Sequence, residues 1–149
     1  MSAFFSIHSA ASWGTTVLRV VTGMTFTAHG WMKVTSQPTI AGFFSQVGIP
    51  FATIAAPLVT GIELVGGLLL LAGLFTRWVS LPLAATMLVA FLTVHLPAGF
   101  FLPNGYEFVL VLLAATVTLS LQGSGALALD TLLARRPGRN THGVVHAAA

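Results

Sequence analysis

Between residues 51 and 75 one charged side chain, Glu63, interrupts a run that otherwise holds only apolar residues, glycine, one proline and two threonines. At 1.5 Å per residue, about 20 residues in a helix cross a hydrocarbon layer of about 30 Å. This stretch is long enough to do so, and in lipid a helix satisfies its own backbone groups. The rest of the chain agrees. Charged residues make up 6% and apolar ones 56% of 149 residues, with a mean hydropathy of +0.93. Soluble domains carry about a quarter charged residues, so the six basic and three acidic side chains are too few to coat a water-facing surface.

Three further stretches suit the same solvent. Residues 78–97 carry no charge, with Pro82 near the start and His95 near the end; residues 106–122 carry Glu107 in the first turn. Residues 13–33 are less apolar and include Arg19, His29 and, at the end, Lys33. Arg19 is near enough to one end for its stem to snorkel toward the headgroups. Positive charge is missing from the first residues, so the first span reads as retained rather than as a cleaved signal. The expectation is an all-α integral membrane four-helix bundle within residues 1–130, with spans at about 13–33, 52–74, 78–97 and 106–122. Gly61, Gly66, Gly67 and Gly73 offer small faces for close helix approach, Gly66 and Gly73 on one face. They also make self-association a candidate, alongside the lipid bilayer itself as partner.

Between the first two spans, Ile40, Phe43, Phe44 and Val47 fall at helical spacing before Gly48 and Pro50. That pattern predicts a short amphipathic helix lying in the interface plane over the mouth of the bundle; a structured hairpin loop is the alternative. An even number of spans puts both termini on one side, with Arg19, Arg77, Arg135, Arg136 and Arg139 there and only Lys33 opposite. The positive-inside rule then places both termini in the cytoplasm of a bacterial inner-membrane protein. Residues 131–149 read as a basic, disordered tail, and its His142 and His146 as part of that tail rather than as metal ligands. The pI of 10.8 reflects these few arginines and calls for no nucleic acid. With no cysteine, disulfides, iron–sulfur clusters and c-type haem attachment are excluded.

Ionisable groups inside spans are costly and mark candidate sites. Each span contributes one His or Glu: His29, Glu63, His95 and Glu107, with Lys33 one turn beyond His29. Projected along each helix, three of the four fall in the outer half and Glu63 about 15 Å in. In one reading they are packing glue, with Glu63 paired to Arg19 as a structural ion pair. In another, His29, Lys33, Glu63, His95 and Glu107 frame a slot for a quinone or similar redox-active ring, roofed by Phe43 and Phe44; histidine titrates near neutrality, which suits proton exchange. A metal held by two His and two Glu is a third, although the Glu-x-x-His pair of di-iron bundles is missing. Proton or solute conduction is the last, and Thr22, Thr25, Thr60 and Thr93 are a sparse lining for it. The chain has no nucleophile–base pair, phosphate loop or zinc motif to suggest catalysis unaided.

The runs LRVVTGMTFTAHGWMK (18–33), GFFSQVGIP (42–50) and GIELVGGLLLLAGLFTR (61–77), followed by VHLPAGFF (94–101) and NGYEFVLVLLA (104–114), resemble the DoxX family of small bacterial membrane proteins. The resemblance covers residues 18–130. It implies a four-helix inner-membrane bundle whose polar positions fall on Arg19, His29, Lys33, Glu63, Arg77, His95 and Glu107. It also implies a role beside a quinone-linked oxidoreductase, as in the membrane subunit of thiosulfate:quinone oxidoreductase, or in tolerance of oxidative and electrophile stress. A non-enzymatic scaffold or assembly subunit is the competing expectation, since fold kinship alone does not carry chemistry.

Overall fold

The computed structural model describes residues 2–134, with side chains from residue 11 onward. The first four residues of the predicted tail, 131–134, belong to the helix Leu129–Ala134 rather than to a disordered segment; its remainder, including Arg135, Arg136, Arg139, His142 and His146, lies outside the described residues. Among the described residues every regular element is helical: α1 Ser2–Val34, α2 Gln37–Gln46, α3 Ala52–Ala72, α4 Thr76–Ala90, α5 Glu107–Gln122 and α6 Leu129–Ala134. A π-helical turn, Phe91–His95, and a 3-10 turn, Leu96–Ala98, continue α4. Helices α1, α3, α4 and α5 form the bundle around Phe26, Leu70, Leu83, Met87, Val109, Leu112 and Leu119. Two of its members, Ala52–Ala72 and the continuous Thr76–Ala98, have the length and hydropathy of membrane spans.

The outside of the bundle is apolar. Along α1, Trp13, Val17, Val21, Met24 and Trp31 are all more than half exposed, and their spacing of three, four or seven residues puts them on one stripe. Exposed apolar surface on this scale would drive a water-soluble protein to aggregate. Against lipid it needs no cover.

Helices α1 and α3 pack with their backbones in contact. A Cβ on Gly67 would lie 2.5 Å from the Thr27 nitrogen, and one on Gly30 would lie 2.5 Å from the Leu64 nitrogen. Gly23 faces Gly67 and Leu71 in the same way. This is the close approach expected of small residues in lipid; of the four expected glycines Gly67 takes part in it, joined by Gly23 and Gly30 of α1. Gly66 packs instead on Leu83 of α4. Gly73, at φ 68°, is the left-handed residue that ends α3, a conformation glycine adopts without steric cost.

That register offsets the two helices. Gly30 is level with Leu64, so α1 finishes beside the middle of α3, and the first turns of α3 continue past it. Helix α2 folds back over this projecting part. Gln37 Nε2 donates to Thr60 Oγ1 (2.7 Å) and to the Lys33 carbonyl (2.8 Å), tying α2 to both neighbours. The periodic face at residues 40–47 therefore forms a helix, with Phe44 as its buried side chain.

The end of the bundle where α3 turns into α4 is closed by α6 and the segment before it. Arg19 is 2% exposed. Its guanidinium donates to the carbonyls of Leu70, Leu71 (2.9 Å), Leu127 and Ser124 (2.9 Å). The first two belong to the last turn of α3, where carbonyls lack helical partners, although the Leu70 carbonyl also accepts from the Gly73 N–H (3.0 Å); a cation there also meets the negative end of the α3 dipole. Asp130 completes the closure. Its carboxylate accepts from the backbone N–H groups of Phe75 (2.9 Å) and Thr76 (3.3 Å) at the start of α4, and its own N–H donates to the Gly73 carbonyl (3.0 Å).

Candidate functional site

The opposite half of the bundle is hollow. A cavity of about 940 Å³ lies between the tightly packed α1–α3 pair and the α4–α5 pair. Ile40, Phe43, Phe44 and Ile49, from α2 and the turn after it, form its roof, and Val59 and Val109 are among the residues of its apolar wall. Four of the sequence-predicted residues line it: His29, Lys33, Glu63 and His95.

Lys33 and Glu63 form the single ion pair among the described residues. The Lys33 ammonium donates to both carboxylate oxygens of Glu63, at 2.5 and 2.6 Å. Glu63 is 2% exposed and Lys33 18%. The Arg19–Glu63 pair expected from the sequence does not form, because the α1–α3 register places Arg19 level with the end of α3 and Lys33 level with Glu63. The projection that set Glu63 beneath the other groups fails for the same reason: depth counted from each helix's own end ignores the offset between them. With two of its three N–H groups on Glu63, the ammonium keeps one.

The two histidines are held alike by different elements. His29 Nδ1 lies 2.9 Å from the Thr25 carbonyl, one turn back on α1, and its ring packs on Phe108 of α5 with centroids 5.9 Å apart. His95 Nδ1 lies 2.9 Å from the Asn104 carbonyl. A carbonyl can only accept, so Nδ1 carries the hydrogen in both rings. In the neutral ring Nε2 is then the acceptor, and protonation makes it a donor.

His95 closes the π turn, the element that sequence reasoning missed. One extra residue in a turn rotates the downstream side chains by about 100° relative to an uninterrupted α-helix, and such turns gather at functional sites. Pro97 is the only local signal: it removes an N–H two residues past His95, which marks a helix end but not a π turn.

Glu107 is not part of the cavity wall. Its carboxylate turns back to accept from the Leu102 N–H (2.9 Å) at the start of α5, where negative charge also suits the helix dipole. Together with the Tyr106 N–H to Gly99 carbonyl bond (2.9 Å) and the edge-on contacts of Tyr106 with Phe91 and Phe100, it fastens the loop whose Asn104 carbonyl holds His95. Its effect on the cavity passes through this loop, whose residues 102–105 line the cavity, and through His95. Among the described residues, no three His, Cys, Asp or Glu side chains come together as a metal-holding group. The two-His, two-Glu set of the third reading is not assembled among the described residues, because Glu107 turns away and Glu63 is committed to Lys33.

Comparison with known proteins gives a consistent result. The sequence profile of the DoxX family matches residues 14–96. CatD of Bacillus subtilis, a protein provisionally named an oxidoreductase, is 40% identical over 117 residues, covering 78% of this chain and 84% of that protein. An uncharacterized membrane protein of Mycobacterium tuberculosis is 30% identical over 142 residues, 87% of each chain. An uncharacterized protein of Haemophilus influenzae is 31% identical over 122 residues, 78% of this chain and 81% of its own. No solved structure is a significant match.

Proposed function

This chain belongs to the DoxX family of membrane proteins, and on that premise we propose that its cavity binds a quinone-type ring. The chain then serves as the quinone-facing membrane subunit of a bacterial inner-membrane oxidoreductase or oxidative-stress system, with a separate protein as electron donor. The closed end, with Arg19 and Arg77, faces the cytoplasm, and the hollow end opens toward the outer leaflet. The oxidoreductase name of CatD supports the redox reading.

The observation that carries the proposal is the make-up of the cavity: a large, mainly apolar space in which two imidazoles and one ammonium–carboxylate pair supply the titratable groups. Ligand pockets of this size pair apolar walls with a few placed polar groups. The residues fit a quinone. A bound quinone supplies two-electron, two-proton redox chemistry. The remaining N–H of Lys33 can donate to a ring carbonyl, with Glu63 keeping the ammonium in place. His29 and His95 can each take up or give a proton at Nε2, because the backbone fixes Nδ1. Phe43, Phe44 and Phe108 wall the ring with aromatic surface and limit water.

The alternative, a scaffold or assembly subunit, draws on the Arg19 and Asp130 contacts, whose partners are all backbone groups and which serve packing alone. Protein purified from its own membrane separates the readings. The proposal expects extractable quinone near one equivalent, reduced several-fold in His29→Ala. Quinone-free protein, together with unchanged membrane redox activity in His29→Ala, would leave the scaffold reading standing.

A further inference from the structure

The four bundle helices meet along two seams between the tight pairs, and the seams differ. At the α1–α5 seam, the His29 ring lies against Phe108, and Thr15 donates to Gln122 Oε1 (2.8 Å) near the far end. The α3–α4 seam is parted. Gly66 packs on Leu83, but beside that contact runs an apolar groove of about 420 Å³ whose wall includes Pro57, Gly61 and Val65. Ile62 and Pro82 line both this groove and the large cavity, so the two hollows adjoin there. Both in-helix prolines, Pro57 and Pro82, belong to the groove, and each removes a backbone hydrogen bond and bends its helix.

We infer that the α3–α4 groove seats the hydrocarbon tail of the ligand whose ring occupies the cavity, and that the ligand enters sideways from the bilayer between Ile62 and Pro82. The inference rests on the proposed ring site and adds the ligand's second half: a long alkyl or isoprenoid chain. Three features select this occupant. The groove wall is almost wholly apolar. Its Leu58 and Val65 are 60% and 55% exposed on the lipid-facing side, where a tail but no water-soluble ligand would lie. Gly61 leaves open space where a Cβ would stand, which keeps the groove clear.

Gly61 also supplies the test, because a larger side chain there fills the groove without striking a neighbouring helix. The full-length protein in nanodiscs of fixed lipid composition is titrated with decylubiquinone and with the same ring carrying only a methyl group. Gly61→Leu is expected to weaken decylubiquinone binding about tenfold, since the plug displaces the tail from its packing contacts with the groove wall, while methyl-ring binding stays within about twofold. Val65→Phe, a second plug on the same wall, should act alike, and unchanged thermal unfolding shows that either variant is folded. Undiminished decylubiquinone binding in both plugged variants overturns the tail seat and leaves the ring site standing, as does equal loss of both ligands. If the wild type binds neither ring, the ring site itself fails and the tail seat with it.

Discussion

At the closed end of the bundle, a buried guanidinium donates to four carbonyls from two segments, and an aspartate takes the first N–H groups of α4. At the hollow end, a lysine has one carboxylate partner and a cavity of about 940 Å³ beside it. Both ends place charge inside a membrane protein, where it is expensive, but they use it differently. Arg19 places four of its five N–H groups on fixed backbone and is 2% exposed, so it offers no accessible position to a ligand. Lys33, His29 and His95 each hold one partner and keep another position free. The difference teaches how to read a membrane charge: whether an uncommitted donor or acceptor opens on a cavity separates a fastening from a site.

The comparison can be broken most sharply at Arg19. Arg19→Ala strands buried carbonyls and is expected to cost about 3–5 kcal/mol, since each buried acceptor left unsatisfied costs about 1–3 kcal/mol. Unfolding in mixed micelles measures it, and a loss below about 1 kcal/mol would show that the closed end is not fastened by this residue.

Next in size is the α1–α3 contact that sets the register. Gly67→Ala drives a methyl into the Thr27 backbone and should cost about 1–3 kcal/mol through overpacking. Gly61→Ala, on the same helix but facing open space, should change stability by less than about 0.5 kcal/mol. Equal effects would contradict the assigned register.

The smallest expected effect lies at the hollow end. Lys33→Met leaves the Glu63 carboxylate without its partner and should cost about 1–2 kcal/mol, moderated by access through the cavity. Adding Glu63→Leu should restore most of that stability, because an ion pair can be replaced by apolar packing more cheaply than it can be halved, yet quinone binding should not return. Recovery of binding in the double variant would assign the pair to packing.

Much of the fold was legible in the sequence, because hydropathy and charge scarcity report directly on solvent. The short helix α2 was legible from Ile40, Phe43, Phe44 and Val47, since apolar period is set by helix geometry. Candidate site residues were legible as types: His29, Lys33, Glu63 and His95 line one cavity because ionisable groups in spans are few. Their pairing was not legible. Whether Glu63 meets Arg19 or Lys33 depends on the sliding of α1 against α3, which Gly23, Gly30 and Gly67 fix in three dimensions. Glu107 could not be separated from the cavity set either, because its partner, the Leu102 N–H, is offered by a loop whose path no periodicity encodes. The π turn that presents His95 has no sequence signature beyond Pro97.

The most direct test of the central claim is a structure of the full chain in nanodiscs loaded with decylubiquinone. The account predicts ring-shaped density beside His29, His95 and the Lys33–Glu63 pair, under Phe43 and Phe44. A cavity holding only water or lipid chains, with the quinone elsewhere in the bilayer, would contradict it.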